Sequence, residues 1–365
     1  DFSCTLFDSQ ANLVASAPHI PVHLGSMSTF VRYQSAKWKG KLKPGDVIVG
    51  NHPICGTHLP DITVMTPVFY GDGQIIFYLA SRAHHSDIGS ILPGSMPPNS
   101  RELWQEGAII HSELLIRDGI FQTQRMIELL FNEPGKYPGC SGTRKLSDNL
   151  SDLKAQAAAN QKGWRLLTQL VKDFGLNVVL AYMEAIQSNS AATVRRLLKR
   201  ITATTTSPLN TKPNILQSED FMDDGSSIKL KITIDANSNS ATLDFTGTSP
   251  EMYSNMNAPK AITYSAIIYC LRCLVDEDIP LNEGFLRPFD IIIPDDCFLS
   301  PSEGAAVVAG NVLTSQRITD VIFKAFGTMA DSQGCTNNFT FGIGGQDSDG
   351  KHSNGFGYYE TIAGG

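Results

Sequence analysis

From Ile62 to Ser81 almost every position is apolar or β-branched, and the run is interrupted by Tyr70-Gly71-Asp72-Gly73. Ile62–Phe69 and Gln74–Ser81 therefore predict an antiparallel hairpin, with the two glycines supplying the turn. A hairpin brings its ends together. His58 and Asp61 precede the first strand, and His84, His85 and Asp87 follow the second, so the pattern gathers five polar side chains at one end. Adjacent histidines on an extended segment point to opposite faces, so at most one of His84 and His85 joins the others. The pattern does not say which.

Upstream, Asp1–Ala15 predicts a hairpin turning at Asp8-Ser9-Gln10. The two prolines of Ala17–Gly25 exclude a regular helix there, which puts His19 and His23 on an irregular loop within reach of the hairpin end or bonded to backbone. A helix over Ser28–Lys37 and a short buried strand, Val47–Asn51, follow. Downstream, Leu92–Pro98 is turn upon turn and leads to Leu103–Gly107, a loop that reads as the wall of a site. Glu106 on it is an acid/base candidate or an extra ligand, or simply a solvated carboxylate.

At Asp148 the period changes to helical. One helix is expected over Asn149–Phe174, broken near Gly163, and a second over Asn177–Ile201. Asp152, Gln156 and Asn160 share a face of the first; they form its wet side or, given the alanines around them, a polar stripe packed towards a site. Thr202–Leu216 reads as a linker. Beyond it Ile228–Ile234 alternates strictly and pairs with Ala241–Phe245. Ala261–Val275 predicts a buried helix, Phe289–Pro294 a strand, and Ile318–Phe326 a last helix. Gly310, Asn311, Thr314, Ser315 and Arg317 stand at its start, where free backbone donors suit an anionic group, although capping also explains small polar residues there. The expected fold is mixed α/β (α+β), with antiparallel and mixed sheets flanked by helices. Three parts are expected: a β-rich part over 1–146 holding the polar cluster, a helical part over 147–204, and a second α/β part over 205–365.

Imidazole and carboxylate together suit a divalent ion such as manganese, iron or zinc, and few protein ligands leave positions open for water or substrate. A hydrogen-bonded loop is the alternative. The net charge of −7, with a pI near 5.6, argues against nucleic-acid or anionic-membrane partners. Seven cysteines, an odd number, do not make a secreted disulfide framework, so reduced thiols in the cytoplasm are expected. Cys270 and Cys273 form an isolated Cys-x-x-Cys inside a buried helix, a poor zinc or redox motif. The absence of an initiator methionine and the glycine-rich end lead us to expect a piece of a longer polypeptide.

Longer strings go further. Ala17-Pro-His-Ile-Pro-Val-His-Leu-Gly25, Asn51-His-Pro53, His58-Leu-Pro-Asp61, Ser81-Arg-Ala-His-His-Ser-Asp-Ile-Gly89, Pro93-Gly-Ser-Met-Pro-Pro98, Cys140-Ser-Gly-Thr-Arg144 and Gly310-Asn-Val-Leu-Thr-Ser-Gln-Arg317 together resemble the hydantoinase B family, most like the region of that type in ATP-dependent 5-oxoprolinases. The resemblance runs over essentially the whole chain. It implies ATP-driven opening of a cyclic amide, 5-oxo-L-proline to L-glutamate, a reaction of glutathione metabolism. It also implies a partner: a hydantoinase-A-like domain or subunit that binds ATP and phosphorylates the lactam oxygen. The alternatives are a hydantoinase or acetone-carboxylase-type subunit, or a non-catalytic domain packed on an ATPase. By the same resemblance His58 and Asp61 are metal ligands, with one of His84 and His85, the ion being manganese, iron, zinc or magnesium. Asp87 is then expected to orient a histidine, Asn311–Ser315 with Arg317 to hold phosphate, and the protein to form a homo-oligomer. Two departures stand out: Ser90 replaces the family's usual glycine, and the chain has no Walker-type phosphate loop.

Overall fold

The structure, a computed structural model, describes residues 2–17, 19–71, 73–205, 214–346 and 352–362. The first sheet is built from β1 (Phe2–Asp8), β2 (Leu13–Ser16), β3 (Val47–Gly50), β4 (Asp61–Tyr70), β5 (Gln74–His84), β6 (Glu113–Arg117) and β7 (Ile120–Phe121), with α1 (His23–Lys37) between β2 and β3. These strands form one antiparallel sheet in the order β2-β1-β5-β4-β3-β6-β7. Nearly every residue of β4 is buried, because the central strands are covered on both faces. That double burial is why the sequence shows a continuous apolar run instead of strict alternation.

On one face Met65, Tyr78 and Ala80 pack with Met27, Phe30 and Val31 of α1. On the other face, α2 (Thr123–Ile127), which runs into a π-helical turn, is followed by the long helices α3 (Leu146–Phe174) and α4 (Leu176–Thr205). Val68, Phe77 and Leu79 pack there with Leu167 and Val171 of α3 and Val179 and Met183 of α4. The expected break near Gly163 does not occur. Gly163 lies within α3, and a Cβ at that position would stand 3.2 Å from the methyls of Leu79, so the glycine serves close approach of helix to sheet.

The polar stripe of α3 is also reassigned. Gln156 Nε2 donates to the carbonyls of Ile62 and Ser81, at 2.9 and 3.1 Å, and Asn160 Nδ2 donates to Val64 O at 3.0 Å and Thr66 Oγ1 at 3.2 Å. These amides satisfy sheet backbone under the helix, and Asp152 is exposed. The stripe fastens α3 to the sheet and does not face a site.

The second core surrounds a mixed sheet, β8 (Asn214–Phe221), β9 (Ser227–Asp235), β10 (Ser240–Asp244) and β11 (Phe289–Ile292), in the order β11-β10-β9-β8 with the β10/β11 pair parallel. Helices α5 (Lys260–Leu274) and α6 (Thr314–Phe326) pack against it together with the end of α4. Much of the segment read as a linker lies outside the described residues. The chain closes with an antiparallel ribbon, β12 (Asn337–Gln346) and β13 (His352–Ile362), which the sequence reading does not anticipate. The mixed α/β architecture is as expected. All seven cysteines are free thiols, and among the described residues no helix is long and apolar enough to cross a membrane.

Candidate functional site

Asp61, the first residue of β4, is the centre around which the polar end of the hairpin is built. Strand pairing sets it opposite His84, the last residue of β5. His84 Nδ1 lies 2.9 Å from Asp61 Oδ1 and its Nε2 lies 2.8 Å from Ser95 Oγ. His58 Nε2 is 3.2 Å from the same carboxylate oxygen. Oδ2 is shared by His23 Nε2 at 3.1 Å, Thr57 Oγ1 at 2.8 Å and Asn311 Nδ2 at 3.1 Å. The whole set is buried, yet it opens onto a cavity of about 490 Å³ whose wall includes His23, His58, Asp61, His84, Asn311 and Ser315.

The charge state follows from the partners. Burial alone would raise the Asp61 carboxyl, but the charges and hydrogen bonds of His58 and His23 hold it well below the ordinary carboxylate range. The Val308 carbonyl, 2.8 Å from His58 Nδ1, can only accept, so Nδ1 carries a hydrogen. A further hydrogen on Nε2, facing Asp61, makes His58 an imidazolium; burial works against that charge, and Asp61 outweighs burial to raise the pKa. Burial keeps His23 and His84 below the ordinary imidazole value despite the same carboxylate. The carboxylate thus favours the charged form at His58 more than at His23 or His84. When the Nε2 proton leaves, that nitrogen of His58 presents a lone pair to the centre.

This donor set suits a divalent ion. A nitrogen of His58, a nitrogen of His84 and an oxygen of Asp61 lie within 4.8 Å of one another. Val308 O on the far nitrogen of His58 and Ser95 Oγ on that of His84 are the outer contacts that orient metal-binding imidazoles. Asn311 Oδ1, buried and without a hydrogen-bond partner, is a further orphaned oxygen beside the centre. His52, His111 and Glu303 form a second such trio, but His52 Nδ1 accepts from Ile54 N at 3.2 Å, which leaves the proton of the neutral ring on Nε2.

The other residues singled out by the sequence fall elsewhere. His85 is buried on the opposite face, with Nδ1 accepting from Asn149 Nδ2 at 2.9 Å and Nε2 3.4 Å from Gln156 Oε1. Burial lowers its pKa to about 4, so it is a neutral packing residue beneath α3. Asp87 touches no imidazole. Its carboxylate accepts from the backbone N–H groups of Gly89, Gly94 and Arg144 and pairs with the Arg144 guanidinium at 3.1 Å, a bracket that folds two loops together.

Glu106 is not solvated, and it does not line the cavity. Its oxygens accept from Ser100 Oγ at 2.9 Å, Val307 N at 3.0 Å and Val308 N at 2.9 Å, and burial raises its pKa to about 7. It braces the peptide whose carbonyl orients His58. His19 accepts from Cys4 N at 3.1 Å, outside the cluster, whereas His23 belongs to it. Of the group at the start of α6, Asn311 and Ser315 line the cavity. Thr314 is spent on the Met256 carbonyl, and Arg317 pairs with Asp220 at 3.1 Å and Asp320 at 3.4 Å. Thr57, Ser95 and Tyr359 were missed. Thr57 and Ser95 flank motif residues without resembling ligands, and Tyr359 comes from the distant ribbon, so no local pattern marks them.

Comparison with known proteins gives the context. The chain is 58% identical over 368 residues to the 5-oxoprolinase of Saccharomyces cerevisiae, an alignment that covers all of this chain and 28% of that protein. In solved structures the fold matches the ATP-dependent caprolactamase of Pseudomonas jessenii, with TM-score 0.76, 21% identity, and 99% of this chain against 59% of that one. It also matches a nucleotide-free acetone carboxylase, with TM-score 0.75, 16% identity, and 98% of this chain against 48% of that one. The family model described as hydantoinase B/oxoprolinase matches residues 1–365, and the chain belongs to that family.

Proposed function

We propose that this chain is the hydrolytic part of an ATP-dependent 5-oxoprolinase-type enzyme, which opens 5-oxo-L-proline to L-glutamate. The observation that carries the reading is the Asp61 centre with His58 and His84 at the wall of the cavity, in a chain 58% identical to a yeast 5-oxoprolinase. The ATP-binding function belongs to a hydantoinase-A-like part, which would phosphorylate the lactam oxygen and make the ring carbonyl electrophilic. A divalent ion held by His58, Asp61 and His84 would polarise water and lower its pKa.

The chain's own residues do the rest. Val308 O keeps the Nδ1 hydrogen of His58 in place, so that Nε2 faces the centre. His23 Nε2 donates its hydrogen to the outer oxygen of Asp61, which orients the carboxylate towards His58 and His84. Asn311 Nδ2 is spent on Thr57 and Asp61 and the Ser315 hydroxyl on Asn311 O, so Asn311 Oδ1 is left as an acceptor facing the centre. Ile262, Ala266, Val312 and Phe323 form an apolar wall that suits ring methylenes and limits bulk water. Ring opening consumes one water and breaks the C–N bond to leave an acyl phosphate, and a second water releases the phosphate, so two waters are consumed for each glutamate formed. The free thiols support a reducing, cytoplasmic setting.

The test combines the chain with its ATP-binding part and follows glutamate formed from 5-oxoproline and ATP, with and without bicarbonate, beside His58→Ala. Bicarbonate-independent glutamate production that disappears in the variant is the expected result. Full activity and full metal content in His58→Ala would overturn the proposal.

A further inference from the structure

The closing ribbon has two different sides. Phe339, Phe341 and Tyr358 contact one another on an open face, with ring centroids 5.0 Å apart for Phe341 and Tyr358. Strand alternation turns Tyr359 and Thr361 to the other side, where both line the cavity. The Tyr359 ring lies on the His84 ring, centroids 4.3 Å apart and planes 27° apart. Its hydroxyl is used within the ribbon, 2.7 Å from Asn338 Oδ1 and 3.1 Å from Thr361 Oγ1. The ring face, not the hydroxyl, therefore addresses the site.

Two hydrogen bonds fix two points of the His84 ring, Nδ1 at Asp61 and Nε2 at Ser95. With the Cβ tether these contacts define the ring plane, but hydrogen bonds are soft to out-of-plane tilting. A stacked ring blocks that motion. Tyr359 is itself seated firmly: Arg144 Nε donates to Gly344 O at 3.0 Å, and the same guanidinium pairs with Asp87. A Cβ at Gly357 would stand 2.4 Å from Asp87 Oδ2, so this strand reaches its place only because position 357 has no side chain.

We infer that Tyr359 is a positioning residue, whose ring holds His84 in the plane in which Nδ1 faces Asp61. Its consequence for metal affinity rests on the proposed reading of the centre; its action on the His84 ring does not. The aspartate that the sequence read as a histidine-orienting group thus acts at a distance, by seating the ribbon that carries Tyr359.

The experiment uses the whole protein with Tyr359→Phe, Tyr359→Leu and Tyr359→Ala, and thermal denaturation to confirm folding. Tyr359→Leu keeps bulk at the position should the alanine variant fail to fold. Zinc and manganese affinity is measured by chelator competition. The metal-free protein is examined by ¹⁵N spectroscopy of labelled histidines, with His84→Ala to assign the His84 signals. Tyr359→Phe should match wild type in both readouts. Tyr359→Leu and Tyr359→Ala should weaken metal binding by about tenfold, the low end of the range for outer-contact losses, and should shift or broaden the His84 signals. Unchanged affinity with unchanged His84 signals in a folded leucine or alanine variant would overturn the inference. So would a phenylalanine variant as damaged as alanine, because that outcome assigns the role to the hydroxyl. If wild type takes up neither metal, the metal reading fails, and the His84 spectrum decides the role of Tyr359 by itself.

Discussion

Asp61 and Asp87 stand at the same end of one hairpin, both essentially inaccessible to solvent at 1% and 0% exposure, and they have opposite characters. Asp61 is surrounded by three imidazoles, a hydroxyl and an amide, and it opens onto the cavity. Asp87 is closed off by three backbone N–H groups and a guanidinium. Imidazoles can give up a proton and offer a lone pair to a metal. Guanidinium and peptide N–H groups cannot. Burial and residue type, which the two aspartates share, therefore do not identify a reactive carboxylate; the chemistry of its partners does.

The largest test of this contrast is Asp61→Ala. Because it removes a ligand itself, metal content and ATP-coupled turnover should fall by more than the roughly 100-fold upper end seen when an outer contact is lost; elemental analysis and glutamate assays read both. Asp87→Ala should do the reverse. It strands the Arg144 charge in the interior at a cost of about 3–5 kcal/mol, visible as an earlier urea midpoint, while protein that stays folded in the cold loses no more metal affinity than the roughly tenfold expected of Tyr359→Ala. An Asp87→Ala protein of normal stability that binds no metal would invert the comparison.

Glu106 offers a sharper test through pH. Its carboxyl is raised by burial to about 7 from an ordinary 4.5, so the folded state favours the protonated form. As pH rises from about 4.5, the unfolded state loses this proton first. Glu106 should accordingly take away roughly 3 kcal/mol of stability between pH ~4.5 and ~7 and nothing further above that, read as the difference between metal-free wild type and a variant without the carboxyl. Glu106→Gln, which has no proton to lose, should lack that decline in denaturation measured across the range. The smallest effect is expected at His85. His85→Ala leaves Asn149 and Gln156 short of a partner, costing about 1–3 kcal/mol of stability, with metal content unchanged. His84→Ala should lose the metal. Equal metal loss in the two variants would contradict the division of faces.

The reading of the hairpin succeeded because β-branched residues and a glycine-flanked turn agree with one another, and because strand ends must meet. The pattern left His84 and His85 open for a definite reason. β4 and β5 slip by one residue between Val68 and Phe69, and a one-residue slip exchanges faces along the rest of a strand. Without it Asp61 would sit opposite Ala83. Glu106 and Asp87 were read as chemical groups because a carboxylate in a motif looks the same whether it meets solvent, metal or backbone. The ribbon bearing Tyr359 escaped notice because the glycines of Phe341–Gly345 and Gly355–Gly357 dilute the strand pattern.

The sequence by itself determined the mixed architecture, the hairpin, the long helical pair and the gathering of histidine and aspartate at one strand end. These depend on local periodicity and chain reversal, which neighbouring residues encode. Only the tertiary structure decided which imidazole faces Asp61, that Glu106 and Asp87 brace backbone, and that Tyr359 lies on His84. Each depends on contacts between segments far apart in the chain and on a single-residue register, so the orientation of a side chain is fixed by packing rather than by the residues beside it.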